Sequence, residues 1–390
     1  MTVSVQTNGS NGHSKRVLGV GIIGCGEITQ VSHIPTINFL SNKFATKYLC
    51  DVSKDALFHC AAKVPSSPKT TRDAEQLCAS DEVDVVLIAN ADPFHVPHAI
   101  LALKHNKYCL LEKPAALNYR DIDALIAAEA TSRGKIFVGY MRRYAPAFLD
   151  AVREVGGLGE IHYARVRDII GPNSTFVNQS GTFPKKFSDI AQPDVDELVK
   201  READMVQQAL TVEFGVEATP ASKLMLRVLG GLGSHDLSAM REILGMPKAC
   251  IGASLAPPRM WSALLQYDQF SVIYESGINE IPVFDASIEI FSLNKSIKVS
   301  YDTPYVKGLP VTLTIREKIE GPSGPNSSGF QERVIRRTYE DAYTLEFEAF
   351  YETVVGNKPL KTTVADARKD LDIFAMIMKA GEHNYHSFRE

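Results

Sequence analysis

The sequence lacks three features at once: a long apolar run, a CxxC pair and a strong excess of charge of either sign. Without roughly 20 consecutive apolar residues, we expect no membrane-spanning helix. The six cysteines lie mostly inside apolar runs, which predicts reduced thiols in a cytoplasmic protein, with no disulfide framework and no metal site. The net charge of −4 gives no electrostatic reason to expect nucleic acid or an anionic membrane as a partner.

The amino-terminal segment lacks the apolar core of a secretory signal peptide. It is polar and rich in Ser, Asn and Gly, which predicts a disordered tail over residues 1–15. The chain of 390 residues is longer than one ordinary hydrophobic core supports. We therefore expect two domains after the tail.

Residues 16–145 alternate between short apolar runs and stretches with helical spacing. Runs such as VDVVLIAN and KYCLLE are apolar almost throughout, which is typical of parallel strands covered by helices on both faces. Pro93 is placed to begin a helix, and Asn118 is placed to cap another. The pattern predicts a doubly wound α/β domain with a parallel sheet.

Residues 146–390 show a different pattern. Segments such as YARVRDI and ASIEIFSL alternate apolar and polar residues, as antiparallel strands with one exposed face do. We predict an α+β domain with a largely antiparallel open sheet, closed by a helix over 363–382. Residues 171–222 carry few strand signals and many polar residues, which suggests a lid-like insertion.

A glycine pattern joins the first strand to the first helix. Gly24 and Gly26 occupy the first two positions of G-x-G-x-x-G, and Thr29 stands where the third glycine is usual. The first glycine allows a tight turn, and the second lets a pyrophosphate approach the backbone at the helix start formed by Glu27 and Ile28. The position favours a dinucleotide site, although a glycine turn without a ligand stays open as the alternative.

Asp51 ends the second apolar run. A carboxylate there can accept hydrogen bonds from the adenosine ribose hydroxyls and repels a 2′-phosphate, so we expect NAD rather than NADP. Lys54 would soften that preference, and Asp51 could instead simply cap the following helix. Ala89, Asn90 and His95 follow the next strand and should reach the same crevice, with His95 in a supporting role.

The run KYCLL ends abruptly in Glu112, Lys113 and Pro114. A charged pair followed by proline is unusual in a core but natural at the carboxyl edge of a nucleotide-binding sheet. Proline rules out a regular helix at this point and fixes the direction of the chain. Lys113 is therefore predicted to face the cofactor crevice.

Three stretches together resemble the Gfo/Idh/MocA oxidoreductase family. They are the glycine loop, the run IANADPFHVPHAILALKHNKYCLLEKP with its EKP signature, and KIFVGYMRRYAPAF. The resemblance implies a Rossmann-like domain that holds NAD(P), then a domain that shapes the substrate site and often the homo-oligomer interface, here expected as a dimer or tetramer. It also implies a reaction at a secondary alcohol of a sugar, cyclitol or related polyol.

The resemblance places Lys113 beside the nicotinamide and the reacting hydroxyl. A lysine in a partly dry crevice next to a cationic ring can act as a base, a proton relay or a hydrogen-bond donor to a developing alkoxide. Glu112 would orient this lysine or contact the cofactor. A solvated surface lysine is the alternative.

His235 corresponds to the family's catalytic histidine at the start of a helix. Many dehydrogenases of the family carry D-x-x-x-H there and an acid three residues later, but this chain has Gly231 and Ser238 at those positions. The adjacent Asp236 cannot simply replace either acid, because neighbouring helical residues point in different directions. We expect His235 to be catalytic, with substrate binding or a structural role as the alternatives.

Two arginines follow the last strand of the first domain. We expect Arg142 to hold the cofactor and Arg143 to bind substrate, although either could be a solvated charge. In the insertion, Asn173 could reach a polyol, although polar loops are usually just solvated.

The functional hypothesis is an NAD(P)-dependent dehydrogenase or reductase acting on CH–OH groups. The same residues would also serve a lyase or glycosidase that retains NAD and passes through a transient keto-sugar. A non-catalytic dinucleotide-binding regulator is the third possibility, which the intact EKP motif disfavours.

Overall fold

The computed structural model describes residues 16–321 and 324–385, with backbone only for 324–327. The tail predicted over residues 1–15 lies outside the described residues. Among the described helices, none combines the length and the apolar character needed to cross a bilayer.

The first domain is built on a six-stranded parallel sheet of strand order β3-β2-β1-β4-β5-β6. Its strands are β1 Leu18–Ile23, β2 Phe44–Cys50, β3 Lys69–Thr71, β4 Val85–Ile88, β5 Tyr108–Leu111 and β6 Ile136–Val138. Strands β1 and β4 are buried along their whole length, because helices cover both faces of the sheet. The predicted doubly wound domain is confirmed.

The connecting helices begin at side-chain caps where the sequence supplies them. They are α1 Ile34–Phe39, α2 Lys54–Ala61, α3 Ala74–Ala79, α4 His95–Lys104 and α5 Tyr119–Ala130. Asn118 caps α5 as predicted, by accepting a hydrogen bond from the Asp121 N–H. The glycine loop enters a π-helical turn, Thr29–His33, before α1 begins, and Pro35 lies in the first turn of α1, where its missing N–H costs nothing.

The second domain contains an eight-stranded sheet of order β14-β13-β12-β11-β7-β10-β9-β8. Among the strands that the structure describes in this sheet, β7 and β10 are the single parallel pair, so the predicted, largely antiparallel sheet is confirmed. The strands are β7 Tyr163–Ile170, β8 Ala249–Ala256, β9 Met260–Gln266, β10 Ser271–Ile278, β11 Phe284–Phe291, β12 Lys295–Tyr301, β13 Thr312–Gly321 and β14 Gly324–Ile335. Helix α6, Pro146–Gly156, links the two sheets along the chain.

The predicted insertion, residues 171–222, is helical and lies against the first domain. It contains α7 Asn173–Asn178, α8 Gln192–Gln207 and a π-helical turn Gln208–Phe214, and it ends in α9 Pro220–Val228. A second π-helical turn, Leu229–Gly233, leads into α10 Ser234–Leu244. Helix α12, Val364–Ala380, lies within the segment 363–382 that was predicted to close the domain.

Helix α11, Ala342–Val354, returns to the first domain. Its Phe347, Phe350 and Tyr351 surround Phe44 of β2 at ring-centroid distances of 5.6, 6.5 and 5.6 Å. These aromatic contacts bury apolar surface between residues about 300 positions apart and so fix the two domains against each other.

Candidate functional site

The glycine loop has the geometry that dinucleotide binding requires. Gly24 has φ +102°, and a Cβ atom there would lie 2.6 Å from the Ala89 carbonyl carbon and the Asn90 nitrogen. At Gly26, by contrast, a Cβ atom would meet nothing within 4 Å, so the backbone is open to a ligand. Thr29 replaces the third glycine and donates its hydroxyl to the Gly24 carbonyl oxygen across 2.7 Å, which closes the loop.

Asp51 supports this loop from the end of β2. Its two carboxylate oxygens accept hydrogen bonds from the Cys25 N–H at 2.7 Å and the Ser53 N–H at 2.8 Å. Ser53 rather than Asp51 caps α2, since the Ser53 hydroxyl accepts from the Ala56 N–H at 2.9 Å. Asp51 is thus held at the cleft, with lone pairs left for a ligand.

A cleft of about 700 Å³ runs along the carboxyl edge of the parallel sheet. It is lined by the glycine loop, Asp51, Ala89 and Asn90, and it joins a cavity of about 510 Å³ that shares Gly26, Glu27 and Asp51 with it. This volume lies in the range of small-molecule sites. The open backbone at Gly26, the carboxylate of Asp51 and the size of the cleft together fit a dinucleotide.

His95, predicted to support the cofactor crevice, contacts two main-chain carbonyl oxygens. One ring nitrogen lies 2.8 Å from the Pro114 carbonyl oxygen and the other 3.0 Å from that of Asn90, so the imidazole ties the ends of β4 and β5 together. His98, which the sequence did not single out, lies 2.8 Å from the Asn90 amide and lines the cleft. Burial, followed by the charges of His95 and Arg201, lowers the pKa of His98 to about 4.

Glu112 is turned away from water and onto a buried histidine. One carboxylate oxygen lies 2.9 Å from Nε2 of His33, and both side chains are almost fully buried. Burial opposes ionisation of Glu112, but the hydrogen bond and charge of His33 outweigh it and lower the pKa. The other oxygen accepts the Lys113 N–H at 3.2 Å, so Glu112 orients the backbone of the next residue.

Lys113 follows β5, and its side chain reaches the second domain. Its ammonium donates to the carbonyl oxygen of Gly231 across 2.6 Å. Gly231 lies in the π-helical turn before α10, and a Cβ atom there would meet nothing within 4 Å. A main-chain carbonyl therefore contacts the lysine at the position where the family pattern carries an acid.

His235 lies in the first turn of α10, near enough to Lys113 to feel its charge. Burial, followed by the charges of Lys113 and Arg142, lowers the pKa of His235 well below its usual value, so the imidazole is neutral. Its Nδ1 is buried and has no hydrogen-bond partner among the described residues. Ser238 does not supply one, since its hydroxyl donates to the His235 carbonyl oxygen at 3.2 Å.

Arg142 lies in a buried ion triad. It contacts Asp168 of β7 at 2.9 Å and makes a short contact with Asp236 of α10, and all three side chains are at most 4% exposed. Burial and then the charge of Asp168 raise the pKa of Asp236 well above its usual value, although Arg142 opposes this. The triad joins the helix of His235 to the second sheet.

Arg143 lies in an ion-pair network, whereas Asn173 contacts the glycine loop. Arg143 pairs with Glu242 at 2.6 Å and with Asp366, in a buried network that also contains Arg241. Asn173 donates to the Glu27 carboxylate at 3.0 Å and so connects the insertion to the glycine loop. Ile28 packs against the core beneath that loop. The structure thus brings Lys113 close to Gly231 and His235, places the glycine loop along the cleft, and holds Arg143 in ion pairs.

Residues 18–140 match the model of a family described as "Oxidoreductase family, NAD-binding Rossmann fold". The match is to the Gfo/Idh/MocA family and covers the first domain. Over 90% of its length the chain is 24% identical to a myo-inositol 2-dehydrogenase of Thermotoga maritima, of which the match covers 92%. It is 29% identical to an inositol 2-dehydrogenase of Paracoccus denitrificans, over 40% of this chain and 48% of that protein.

Solved structures of the Gfo/Idh/MocA type share the fold over nearly the whole chain. A levoglucosan dehydrogenase in complex with NADH and levoglucosan superposes with a TM-score of 0.69, at 15% identity over 95% of this chain and 98% of that one. A 3-ketoreductase from Actinomadura kijaniata in complex with NADP and TDP-benzene gives a TM-score of 0.67, at 14% identity over 96% and 99% of the two chains. The expected two-domain fold is therefore confirmed.

Proposed function

We propose that this chain is an NAD(P)-dependent oxidoreductase that transfers a hydride between nicotinamide and a secondary alcohol or ketone of a sugar, cyclitol or similar polyol. The observation that carries the proposal is the placement of Lys113. Its ammonium lies at the carboxyl edge of the parallel sheet, close enough to His235 to influence its pKa. The inositol dehydrogenases to which the chain is similar support the substrate class.

The reaction assigns separate tasks to the side chains. Gly24, Gly26 and Asp51 would hold the nicotinamide dinucleotide, which would supply the hydride chemistry at the substrate carbon. Lys113 holds the reacting oxygen and moves its proton, while the neutral imidazole of His235 provides a second acceptor for that proton. Gly231 keeps the lysine in place through its carbonyl oxygen. Glu112 and His95 hold the strand end that carries Lys113.

The remaining site residues have proposed binding roles. Gly24, Gly26, Glu27 and Ile28 form the phosphate loop, and Ala89 and Asn90 form the opposite wall of the cleft. Asn173 reaches the substrate side of that loop through Glu27. Arg142 acts by fixing Asp236 next to His235.

NAD is the proposed cofactor because carboxylates lie near the expected ribose position, where the Arg72 guanidinium that also lines the cleft is paired with Asp194. Asp51 lines the cleft, and Asp189 of the insertion lies beside it, accepting hydrogen bonds from the Ser53 hydroxyl at 2.5 Å and the Asp55 N–H at 3.1 Å. Two carboxylates at this point would repel a 2′-phosphate.

The proposed setting is a homo-oligomer, dimer or tetramer, in the cytoplasm. All six cysteines are free, which suits a reducing compartment. Exposed apolar side chains on the second sheet, including Ile251, Leu264 and Val334, offer a surface for association. Light scattering on the purified chain measures the oligomer size.

The decisive experiment is to supply NAD or NADP with a panel of inositols and sugars and to follow nicotinamide absorbance. We expect turnover that falls by about 10²–10⁴-fold in Lys113→Met and in His235→Asn, with dinucleotide binding retained. Absence of both turnover and dinucleotide binding in the wild-type chain would reject the proposal. Product formation without net absorbance change would instead support the lyase or glycosidase alternative, and a Lys113→Met variant with full biological activity would support a regulator.

A further inference from the structure

The loop between β12 and β13, residues 302–311, belongs to the second domain but lies beside residues of the first. It starts after Tyr301, whose ring is buried and whose centroid lies 5.1 Å from the guanidinium carbon of Arg142. The loop contains one tyrosine, Tyr305, and one lysine, Lys307. Neither residue belongs to the site described so far, and the contacts of both point to a role in that site.

Lys307 fastens the loop to the first domain and to α11. Its ammonium donates to the Thr36 hydroxyl on α1 at 3.0 Å, to the Asp341 carboxylate at 2.7 Å and to the Thr344 hydroxyl at 3.3 Å. An ammonium carries three N–H groups, so these three contacts match its full capacity as a donor. Asp341 is buried and also caps α11, so it is itself held in place. The loop is therefore fixed between the two domains.

Tyr305 lies between the glycine loop and the end of β5. Two carboxylates are close enough for their charges to act on its hydroxyl: Glu27 of the glycine loop, and Glu112, which directly precedes Lys113. The guanidinium of Arg142, which follows β6, also acts on this hydroxyl. The carboxyl ends of β1, β5 and β6 thus supply its charged neighbours, and these strand ends border the ligand crevice of such a sheet. Tyr305 approaches that crevice from the second domain.

The phenol of Tyr305 is a neutral hydrogen-bonding group. Burial, followed by the charges of Glu27 and Glu112, raises the pKa of Tyr305 to about 12, although Arg142 opposes this. Among the described residues the hydroxyl has no hydrogen-bond partner, and it is not one of the fully buried side-chain oxygens. A neutral hydroxyl both donates and accepts hydrogen bonds, as the hydroxyls of a polyol do. The group is therefore available to a polyol in the crevice.

We propose that Tyr305 binds the substrate by donating a hydrogen bond to a hydroxyl oxygen next to the reacting carbon, an inference that rests on the proposed oxidoreductase function. Lys113 and His235 act on the reacting oxygen itself, whereas Tyr305 selects which carbon of the ring is presented to them. Lys307 is a positioning residue, because it holds the loop that carries Tyr305. The substrate class is thus a polyol with hydroxyl groups on neighbouring carbons.

The test measures polyol binding to the full-length protein in the presence of saturating NADH, which cannot take a hydride from an alcohol. The probes are myo-inositol and D-glucose, titrated while the fluorescence of bound NADH is followed. In Tyr305→Phe one hydrogen bond is lost, so the dissociation constant of the polyol should rise by about fivefold or more. The dissociation constant of NADH should change by less than about twofold, because the proposed contact is to the polyol.

Monodeoxy derivatives of the tighter probe identify the hydroxyl that Tyr305 contacts. One derivative should bind equally to the wild type and to Tyr305→Phe, because the contact is already missing from that ligand. If Tyr305→Phe weakens the binding of every derivative by the same factor, the phenol does not contact a ring hydroxyl and the proposal is wrong.

The matched control is Tyr339→Phe, which removes the hydroxyl of a tyrosine that is 72% exposed and should leave both affinities unchanged. Lys307→Met should weaken polyol binding about as much as Tyr305→Phe does. The double variant should bind polyol no more weakly than either single variant, because both changes remove the same contact. Additive losses would reject the positioning role of Lys307.

Equal polyol affinity in Tyr305→Phe and the wild type would overturn the proposal. It would also be overturned if the affinity for NADH fell as far as the affinity for polyol, since the phenol would then serve the cofactor. If Tyr305→Phe unfolds, hydrogen exchange of residues 302–308 in the wild-type NADH complex decides: polyol must slow it, and unchanged exchange rejects the contact.

These readouts separate the Tyr305 contact from the enzymatic proposal. Binding is measured without turnover, so a chain whose polyol affinity depends on Tyr305 but which oxidises no polyol would support the contact and reject the reaction. A chain that oxidises polyols but binds them equally well without the phenol hydroxyl would support the reaction and reject the contact. A wild-type NADH complex that binds neither probe would reject the contact.

Discussion

The ammonium of Lys113 donates a hydrogen bond to the carbonyl oxygen of Gly231 across 2.6 Å, between two domains. A carbonyl oxygen is neutral, whereas the acid of the family pattern would be charged. The space beside Gly231 is open, so the lysine is held in place without a counter-ion on that side. This relationship predicts what a restored carboxylate would do.

Gly231→Asp should fold, because a Cβ atom at this position meets nothing within 4 Å. A carboxylate there would pair with the Lys113 ammonium and compete with the reacting oxygen for its hydrogen bonds. Polyol turnover should therefore fall by about tenfold, while dinucleotide affinity is kept. Steady-state kinetics and NADH titration provide the measurement, with Gly231→Ala as the control. Unchanged turnover in Gly231→Asp would show that Lys113 does not act on the reacting oxygen.

The position of Lys113 was predictable, because a buried strand that ends in charged residues must deliver them to the sheet edge. The glycine loop and Asp51 were predictable for the same reason. The partner of Lys113 was not predictable, since a main-chain carbonyl has no sequence signature and is exposed here by a π-helical turn. The contact between Lys113 and Gly231 forms only when the second domain packs on the first.

Arg142 is a second residue whose partners could not be predicted from the sequence. Its position after β6 suggested a cofactor contact, but folding directs it to Asp168, 26 residues away on β7. Asp168 lies in an ordinary alternating strand, so nothing in the sequence distinguishes it from a solvated acid. The partners of the insertion, residues 171–222, could not be predicted either. Its polar composition indicated a lid but did not show which cleft the lid covers.

Gly24 and Gly26 should respond differently to the same added methyl group. Gly24→Ala places a Cβ atom 2.6 Å from backbone atoms at a φ of +102°, so it should lower the free energy of unfolding by about 1–3 kcal/mol. Gly26→Ala meets no protein atom and should leave stability unchanged, but it should weaken dinucleotide binding by at least about tenfold. Urea unfolding and NADH titration measure the two effects. Equal NADH affinity in Gly26→Ala and wild type would argue against phosphate binding at this loop.

Arg142→Met should be strongly destabilising. It leaves the carboxyl groups of Asp168 and Asp236 buried without their cation, which typically costs about 3–5 kcal/mol of folding free energy. The matched control is Arg316→Met, whose exposed pair with Glu332 should contribute at most about 1 kcal/mol. Urea unfolding of both variants gives the comparison. Similar losses in the two would mean that the triad is not the support of α10 inferred above.

His98 makes stability depend on pH in a defined direction. Its pKa is about 4 in the folded chain against a usual value of 6.5, so the unfolded chain binds the proton more readily. The His98 contribution is therefore complete above pH 6.5 and is lost as the pH falls toward 4, with an upper limit of about 3 kcal/mol. His98→Gln should remove this part of the slope, whereas His162→Gln, at an exposed histidine, should keep it. Urea unfolding between pH 4 and 7 provides the measurement, and parallel slopes for wild type and His98→Gln would contradict a buried, neutral His98.

Because the neutral ring lies 2.8 Å from the Asn90 amide, NADH affinity should weaken over the same pH range in the wild type and not in His98→Gln.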